Sequence, residues 1–130
     1  MRLFVYGTLL SGERNHHHLQ SSRLLGVCRT EPGYTLVSLG PYPALLEGGT
    51  TSVTGEVYEV DDGIVPAIDR FEGHPHLYRR ETIWLVDGTD VNAYVLSPAH
   101  GGEREILESG DWRLEVDRSR RRKAPPGSAR

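Results

Sequence analysis

The sequence predicts an α+β fold that is built on a closed or strongly curved β-sheet. Short strand-like segments and hairpin turns dominate the chain, and patterns of helical period occur in only two or three places. The 130 residues are enough for one domain with one core. No repeat or internal linker divides the body of the chain, so we expect a single domain over residues 1–117.

Six segments have the composition of β-strands, because they are rich in β-branched and aromatic residues and end at turn residues. These segments are residues 2–6, 24–30, 34–39, 53–60, 78–86 and 91–96. Pro32-Gly33 predicts a hairpin between the second and third segments, and Asp87-Gly88 begins a turn that predicts another between the last two. Residues 40–46 contain two prolines, which predicts a stiff loop.

The clearest helical pattern lies at residues 63–71. Ile64, Ile68 and Phe71 form an i, i+4, i+7 stripe that faces the core, and Gly73 ends the helix. Two weaker helical segments are predicted at residues 13–22 and 103–108.

Cysteine and hydropathy patterns favour a protein of the cytoplasm. Cys28 is the only cysteine, so no disulfide forms within the chain. It lies in an apolar run, which indicates a small buried side chain more than a catalytic thiol. No apolar run approaches the ~20 residues of a membrane helix, and the N-terminus has no secretory leader pattern.

Charge is distributed unevenly along the chain. Residues 118–130 contain six basic residues and no acid, so removing them from the net charge of −3 leaves −9 for residues 1–117. An acidic body argues against a nucleic-acid-binding fold. We expect residues 118–130 to be a disordered basic tail, which could attract nucleic acid or anionic lipid weakly.

The first ten residues combine a strand, a glycine turn and the entry to a helix. Backbone N–H groups at such a junction point outward and favour an anion. Gly7 lets a ligand approach the backbone, and Thr8 adds a hydroxyl group. The same residues also fit a tight strand-to-helix turn that binds nothing.

Seven short motifs in this order resemble the gamma-glutamylcyclotransferase-like superfamily. They are Tyr6-Gly7-Thr8-Leu9, Asn15-His16-His17, Gly40-Pro41-Tyr42-Pro43-Ala44, Gly55-Glu56-Val57-Tyr58, Ile68-Asp69-Arg70-Phe71-Glu72-Gly73, Tyr78-Arg79-Arg80 and Gly110-Asp111-Trp112-Arg113. The resemblance covers roughly residues 2 to 113. It is closest to small bacterial members, including the butirosin-pathway cyclotransferase, and to gamma-glutamylamine cyclotransferases. It implies a small, mostly antiparallel, closed β-barrel flanked by two or three short helices.

Glu72 is the candidate catalytic residue. It follows Ile68 by four positions, so it points towards the buried face, where a carboxylate without a cation becomes a better proton acceptor near neutrality. Spacing alone also fits an exposed helix-end glutamate, or one paired with Arg79 or Arg80. The resemblance favours the catalytic interpretation, because the family's general acid/base glutamate falls on this position. We expect nearby Asp69 to form hydrogen bonds or an ion pair.

The resemblance implies release of 5-oxoproline from an L-γ-glutamyl substrate, by attack of its α-amine on its own γ-carbonyl. Glu72 would transfer the proton, and the loop of Tyr6, Gly7, Thr8 and Leu9 would bind the substrate. No metal or organic cofactor is expected, and the three consecutive histidines His16–His18 cannot converge on one ion.

Three other functions compete with this one. The first is a non-catalytic domain that binds γ-glutamyl compounds, and the second is a partner-binding module that acts through the basic tail. The third, a hydrolase with a nucleophile, is disfavoured because no Gly-x-Ser-x-Gly pattern is present. Tyr42 and Tyr78 fit the core as well as the pocket, and His74 and His76 fit an ordinary loop. The leaving amine and the oligomeric state are left open.

Overall fold

The computed structural model describes residues 1–100 and 102–123, in which the chain combines one β-sheet with two α-helices. The eight strands are β1 (Arg2–Val5), β2 (Arg23–Arg29), β3 (Tyr34–Ser38), β4 (Pro43–Glu47), β5 (Thr54–Glu59), β6 (Tyr78–Trp84), β7 (Asp90–Leu96) and β8 (Glu105–Ile106). The α-helices are α1 (Val65–Glu72) and α2 (Trp112–Lys123), and short 3-10 helices lie at His16–Leu19, Asp62–Ile64 and Pro98–His100.

The strands form a mixed sheet with the order β2-β5-β1-β7-β4-β3-β8, and β6 pairs with β7 off this path. Strand β6 covers one edge of β7 along its whole length, from Trp84 opposite Asp90 to Tyr78 opposite Leu96. Strands β1 and β4 therefore share the other edge, and both run parallel to β7. Strand β1 pairs with Asn92 and Ala93, and β4 pairs with Val95. Along this edge of β7 the neighbouring strand changes from β1 to β4, and the sheet splits between these two strands.

The α+β class is confirmed, but a closed antiparallel barrel is not. The described strands form a curled mixed sheet whose hydrogen-bonded order ends at β2 and β8. One isolated bridge, between Thr30 and Leu85, connects the chain after β2 with the chain after β6. The parallel contacts of β7 give the sheet its mixed character.

Three local predictions of secondary structure or strand pairing are wrong. Strands β2 and β3 do not form a hairpin, because β2 pairs with β5 while β3 pairs with β4 and β8. The predicted loop at residues 40–46 contains the start of β4, where Pro43 occupies the first position of the strand and its missing N–H is tolerated. Residues 103–108 contain strand β8 in place of the expected helix.

One hydrophobic core joins the sheet, the segment between β1 and β2, and α1. Its largest fully buried side chains include Leu3 and Phe4 of β1, Leu45 of β4 and Ile68 of α1. Each such side chain contributes about 1.5–3 kcal/mol when it is removed from water. Helix α1 therefore packs against the core through Ile68, as the predicted stripe requires. Phe71, which the same stripe placed in the core, is instead 41% exposed.

The expected basic tail begins inside α2, which extends to Lys123. The rest of the predicted tail, residues 124–130, lies outside the described part of the chain. The division into a domain over residues 1–117 and a tail over 118–130 stays a prediction. Among the described residues, every helix is too short or too polar to cross a bilayer.

Candidate active site

A cavity of about 240 Å³ opens where β1 leaves the sheet. Its walls come from the end of β1 and the following loop, from the beginning of β4, from the end of α1, and from β6 and β7. The polar and aromatic residues that line it are Phe4, Tyr6, Thr8, Arg14, Asn15, Tyr42, Phe71, Glu72, Tyr78 and Tyr94. The cavity therefore occupies the split between β1 and β4.

The loop after β1 lines this cavity and contains free backbone donors. Within the described residues, the N–H groups of Gly7, Thr8 and Leu9 donate to no protein acceptor. A Cβ atom at Gly7 would lie 2.7 Å from the ring of Pro43, so only glycine fits between β1 and the start of β4. Unsatisfied N–H groups at the wall of a cavity are suited to a carboxylate or to an oxygen that gains negative charge.

Hydrogen bonds with Asn15 and His16 hold the loop in shape. The Asn15 backbone N–H donates to the Thr8 carbonyl at 3.0 Å, and the Asn15 side-chain amide donates to the Thr8 hydroxyl at 3.0 Å. The carbonyl of Leu9 lies 2.8 Å from Nδ1 of His16, which must carry the proton if it is to donate there. The loop carbonyls are thus occupied while its N–H groups stay available.

A buried carboxylate anchors the next turn of the chain. Glu56 of β5, which is 6% exposed, accepts hydrogen bonds from the Ser11 N–H at 2.8 Å and from the Tyr58 hydroxyl at 3.0 Å. The Arg113 guanidinium lies 3.8 Å from Glu56 and donates to Glu13 at 3.2 Å. A buried carboxylate needs partners for its lone pairs, and those of Glu56 come from different parts of the chain. The network therefore connects β5, the segment between β1 and β2, and α2.

Two buried tyrosines join the strands on either side of the split. The Tyr6 hydroxyl donates to the carbonyl of Tyr94 at 2.5 Å and accepts from the Leu45 N–H at 3.1 Å, so it connects β7 with β4. The Tyr78 hydroxyl donates to the carbonyl of Pro43 at 2.8 Å. Burial raises the pKa of both phenols, and the nearby Glu72 carboxylate raises it further. Both hydroxyls stay protonated and serve as hydrogen-bonding groups.

Glu72 is the last residue of α1, and the helix cap places it at the cavity. Gly73 has a left-handed φ of 70°, and its N–H donates to the carbonyls of Arg70 and Asp69. Leu77 N–H then donates back to Gly73 at 2.9 Å, which turns the chain away from the helix. The carboxylate of Glu72 has no hydrogen bond or ion pair among the described residues. Burial raises its pKa from 4.5 to about 7.

Asp69 lies one helical turn before Glu72 and is fully engaged. It accepts from the Arg80 guanidinium at 3.0 and 3.2 Å and from the Tyr94 hydroxyl at 2.6 Å. Burial alone would raise the pKa of Asp69, but the hydrogen bonds from Arg80 and Tyr94 outweigh it and hold the pKa below its ordinary 3.8. The expectation that Asp69 forms hydrogen bonds and an ion pair is confirmed.

The cavity brings together all five residues predicted for the site, Tyr6, Gly7, Thr8, Leu9 and Glu72. It is also lined by Tyr42 and Tyr78, which the sequence left between core and pocket, whereas His74 and His76 do not line it.

Sequence reasoning missed Arg14, Asn15 and Tyr94 as lining residues. The position of Arg14 and Asn15 just after the glycine turn is a signal that could have indicated them. Tyr94 has no such signal, because it reaches the cavity only through the pairing of β7.

Comparisons with known proteins agree with this fold. The chain matches the family described as "Gamma-glutamyl cyclotransferase, AIG2-like" over residues 3–114. A protein of Vibrio cholerae, provisionally named as a gamma-glutamylcyclotransferase, is 46% identical over 110 residues, which cover 85% of this chain and 93% of the relative.

Two solved structures are similar in fold. The solution structure of Escherichia coli ytfP has a TM-score of 0.68 at 36% identity and covers 90% of this chain and 99% of that one. The crystal structure of an uncharacterised Pyrococcus horikoshii protein has a TM-score of 0.78 at 25% identity, with coverages of 95% and 99%. The curled sheet is that of a gamma-glutamylcyclotransferase-like protein. The chain belongs to the AIG2-like gamma-glutamyl cyclotransferase family.

Proposed function

We propose that the protein is a γ-glutamyl cyclotransferase with Glu72 as its general acid/base. The observation that carries the proposal is the pairing of two features in one cavity. One is a carboxylate without a protein partner, whose pKa of about 7 suits proton transfer near neutrality. The other is a set of free N–H groups on the loop of Gly7, Thr8 and Leu9. A domain that only bound its ligand would have no use for an unpaired, half-buried base.

The proposed reaction balances without another reactant. The α-amine nitrogen of the γ-glutamyl group forms a bond with its own γ-carbonyl carbon, and the bond from that carbon to the leaving nitrogen breaks. Glu72 accepts the proton that the attacking amine loses and delivers it to the leaving nitrogen. The products are 5-oxoproline and a free amine or amino acid.

The loop donors would serve the geometry of this reaction. Cyclisation requires the substrate to fold so that its amine approaches its carbonyl carbon, and holding that conformer accounts for much of the rate. A carboxylate bound to the N–H groups of Gly7, Thr8 and Leu9 fixes one end of the substrate. A donor placed on the carbonyl oxygen stabilises the charge that develops there.

The test is release of 5-oxoproline from a panel of γ-glutamyl amino acids, peptides and amines by the wild type and by Glu72→Gln. We expect the substitution to lower kcat/KM by about 10²- to 10⁴-fold while the fold is kept. Glu47→Gln, on an exposed residue at the end of β4, is the matched control and should leave the rate unchanged.

Two outcomes would contradict the proposal. Equal release by wild type and Glu72→Gln would remove the role of Glu72. Absence of release from every compound, together with binding of γ-glutamyl ligands, would favour the non-catalytic binding domain.

A further inference from the structure

Arg14 brings a positive charge to the cavity that the proposed chemistry does not use. Its side chain is exposed, and it is the only lysine or arginine that lines the cavity within the described residues. No carboxylate of the described chain lies within ion-pairing distance of it. The guanidinium of Arg14 is therefore available to a negatively charged group that enters from solvent.

Two contacts fix where this guanidinium lies. At its base, Arg14 precedes Asn15, which binds Thr8 through both its backbone and its side chain. At its end, one amino group of Arg14 donates to the carbonyl of Pro41 at 2.7 Å. The side chain thus spans from the loop after β1 to the Pro41–Tyr42 segment on the opposite wall. The remaining donors of the planar guanidinium can still bind a carboxylate in the bidentate geometry that arginine favours.

The cavity then has two separate sets of hydrogen-bond donors for anions, in addition to the proposed base Glu72. The N–H groups of Gly7, Thr8 and Leu9 suit one carboxylate, and Arg14 suits a second. A γ-glutamyl derivative of a simple amine, one without a carboxylate of its own, carries only one carboxylate, on its glutamyl half. A γ-glutamyl amino acid carries a second on the half that leaves. The number of donor sets matches the second class.

We propose that Arg14 binds the carboxylate of the leaving amino acid, so that the preferred substrates are γ-glutamyl amino acids and not γ-glutamyl amines. This inference rests on the proposed cyclotransferase function. Arg14 is a specificity residue here, and Glu72 keeps the proton transfer. Arg14 acts on the carboxylate of the leaving half, which neither the loop nor the proton transfer by Glu72 involves.

The experiment compares γ-glutamylglycine with γ-glutamylglycinamide, which differ only in the terminal carboxylate. The wild type should turn over the glycine compound with a kcat/KM about tenfold higher, the range of a charge-assisted hydrogen bond. Arg14→Gln should bring that ratio close to one by lowering the value for γ-glutamylglycine alone. Arg104→Gln is the matched control, since exposed Arg104 also donates to a backbone carbonyl, that of His100, and does not line the cavity.

The proposal is overturned if Arg14→Gln lowers kcat/KM equally for both compounds, because Arg14 would then bind the glutamyl carboxylate that they share. It is also overturned if the wild type does not distinguish the two compounds. Binding to Glu72→Gln and to Glu72→Gln/Arg14→Gln, measured by titration calorimetry, separates this question from catalysis. A tenfold preference that depends on Arg14 in binding, without release of 5-oxoproline by the wild type, would support the role of Arg14 and contradict the cyclotransferase function.

Discussion

Helix α1 carries two carboxylates in opposite surroundings, although they lie only one turn apart. Asp69 receives three hydrogen bonds from two side chains, two from Arg80 and one from Tyr94. Glu72 receives none from the described residues and faces a cavity with buried phenols. The pKa of Asp69 is lowered, whereas the pKa of Glu72 is raised to about 7.

The difference shows how one short helix separates structure from chemistry. A carboxylate with a cation and a hydroxyl as partners stays ionised and holds elements together, here α1 with β6 and β7. A carboxylate left without partners at the helix end costs stability when it is charged, and in return it can exchange a proton near pH 7. The two roles follow from which contacts each residue makes, since both carry the same functional group.

The largest expected effect concerns the pH dependence of the proposed reaction. Because Glu72 must be deprotonated to accept a proton, kcat/KM should fall about tenfold for each pH unit below the pKa of about 7. A fall of about 50-fold between pH 7, where half of Glu72 is deprotonated, and pH 5 is expected, measured as initial rates of 5-oxoproline release. If kcat/KM instead began to fall only near pH 4.5, the ordinary pKa of a glutamate, the pKa of Glu72 would not be raised and its contrast with Asp69 would be lost.

A smaller effect is expected from Asp69→Asn on stability. The substitution leaves the Arg80 guanidinium without its carboxylate and should lower the free energy of unfolding by about 3 kcal/mol at pH 7. Because the pKa of Asp69 is lowered in the folded state, its contribution is present above pH 3.8 and is lost as the pH falls through the folded pKa. The cost should therefore shrink in acid.

Urea unfolding at pH 7 and at pH 3 measures this change, with Asp90→Asn at the exposed start of β7 as the control. A loss no larger than that of the control would mean that the Asp69–Arg80 pair is not structural.

The smallest effect is a gain in stability from Glu72→Gln. A folded pKa of about 7 against 4.5 in the unfolded chain corresponds to about 3 kcal/mol, and partial exposure reduces the expected gain to about 2 kcal/mol at pH 8. The unfolded state loses the proton first as the pH rises, so wild-type stability falls between pH 4.5 and pH 7 and the gain appears over that window. Near pH 4 the two proteins should be equally stable.

Denaturant titrations across this range, with Glu47→Gln alongside, would detect the gain. A loss of stability at pH 8 would reveal that Glu72 has stabilising partners, and the two carboxylates of α1 would then be alike.

Local sequence patterns predicted the parts of the site that depend on neighbours along the chain. The spacing from Ile68 placed Glu72 towards the interior, and Ile68 is indeed 1% exposed while Glu72 lines the cavity. The glycine turn after β1 was predicted from Gly7. The helix end was predicted from Gly73, whose left-handed φ is a requirement that few other residues meet.

Long-range pairing explains the features that the sequence could not indicate. The turn at Pro32-Gly33 has the composition of a hairpin, but turn composition does not show which strand lies next to β2 in the sheet. Pro43 suggested a loop, yet a first strand position does not need its N–H. The sharing of one edge of β7 by β1 and β4 arises from pairs such as Leu3 with Asn92, for which no local pattern exists.

The same arrangement of β1 determines when the site can exist during synthesis. Strand β1 leaves the ribosome first, but its partners are β5, at Thr54–Glu59, and β7, at Asp90–Leu96. A nascent chain that ends before β7 lacks the strand with which both β1 and β4 pair, and so lacks the pairing that places the glycine loop beside the start of β4. Contacts between such distant segments form slowly, because the intervening chain must be closed into a loop before they gain any energy. The first strand of the sheet to be made is thus among the last to reach its final place.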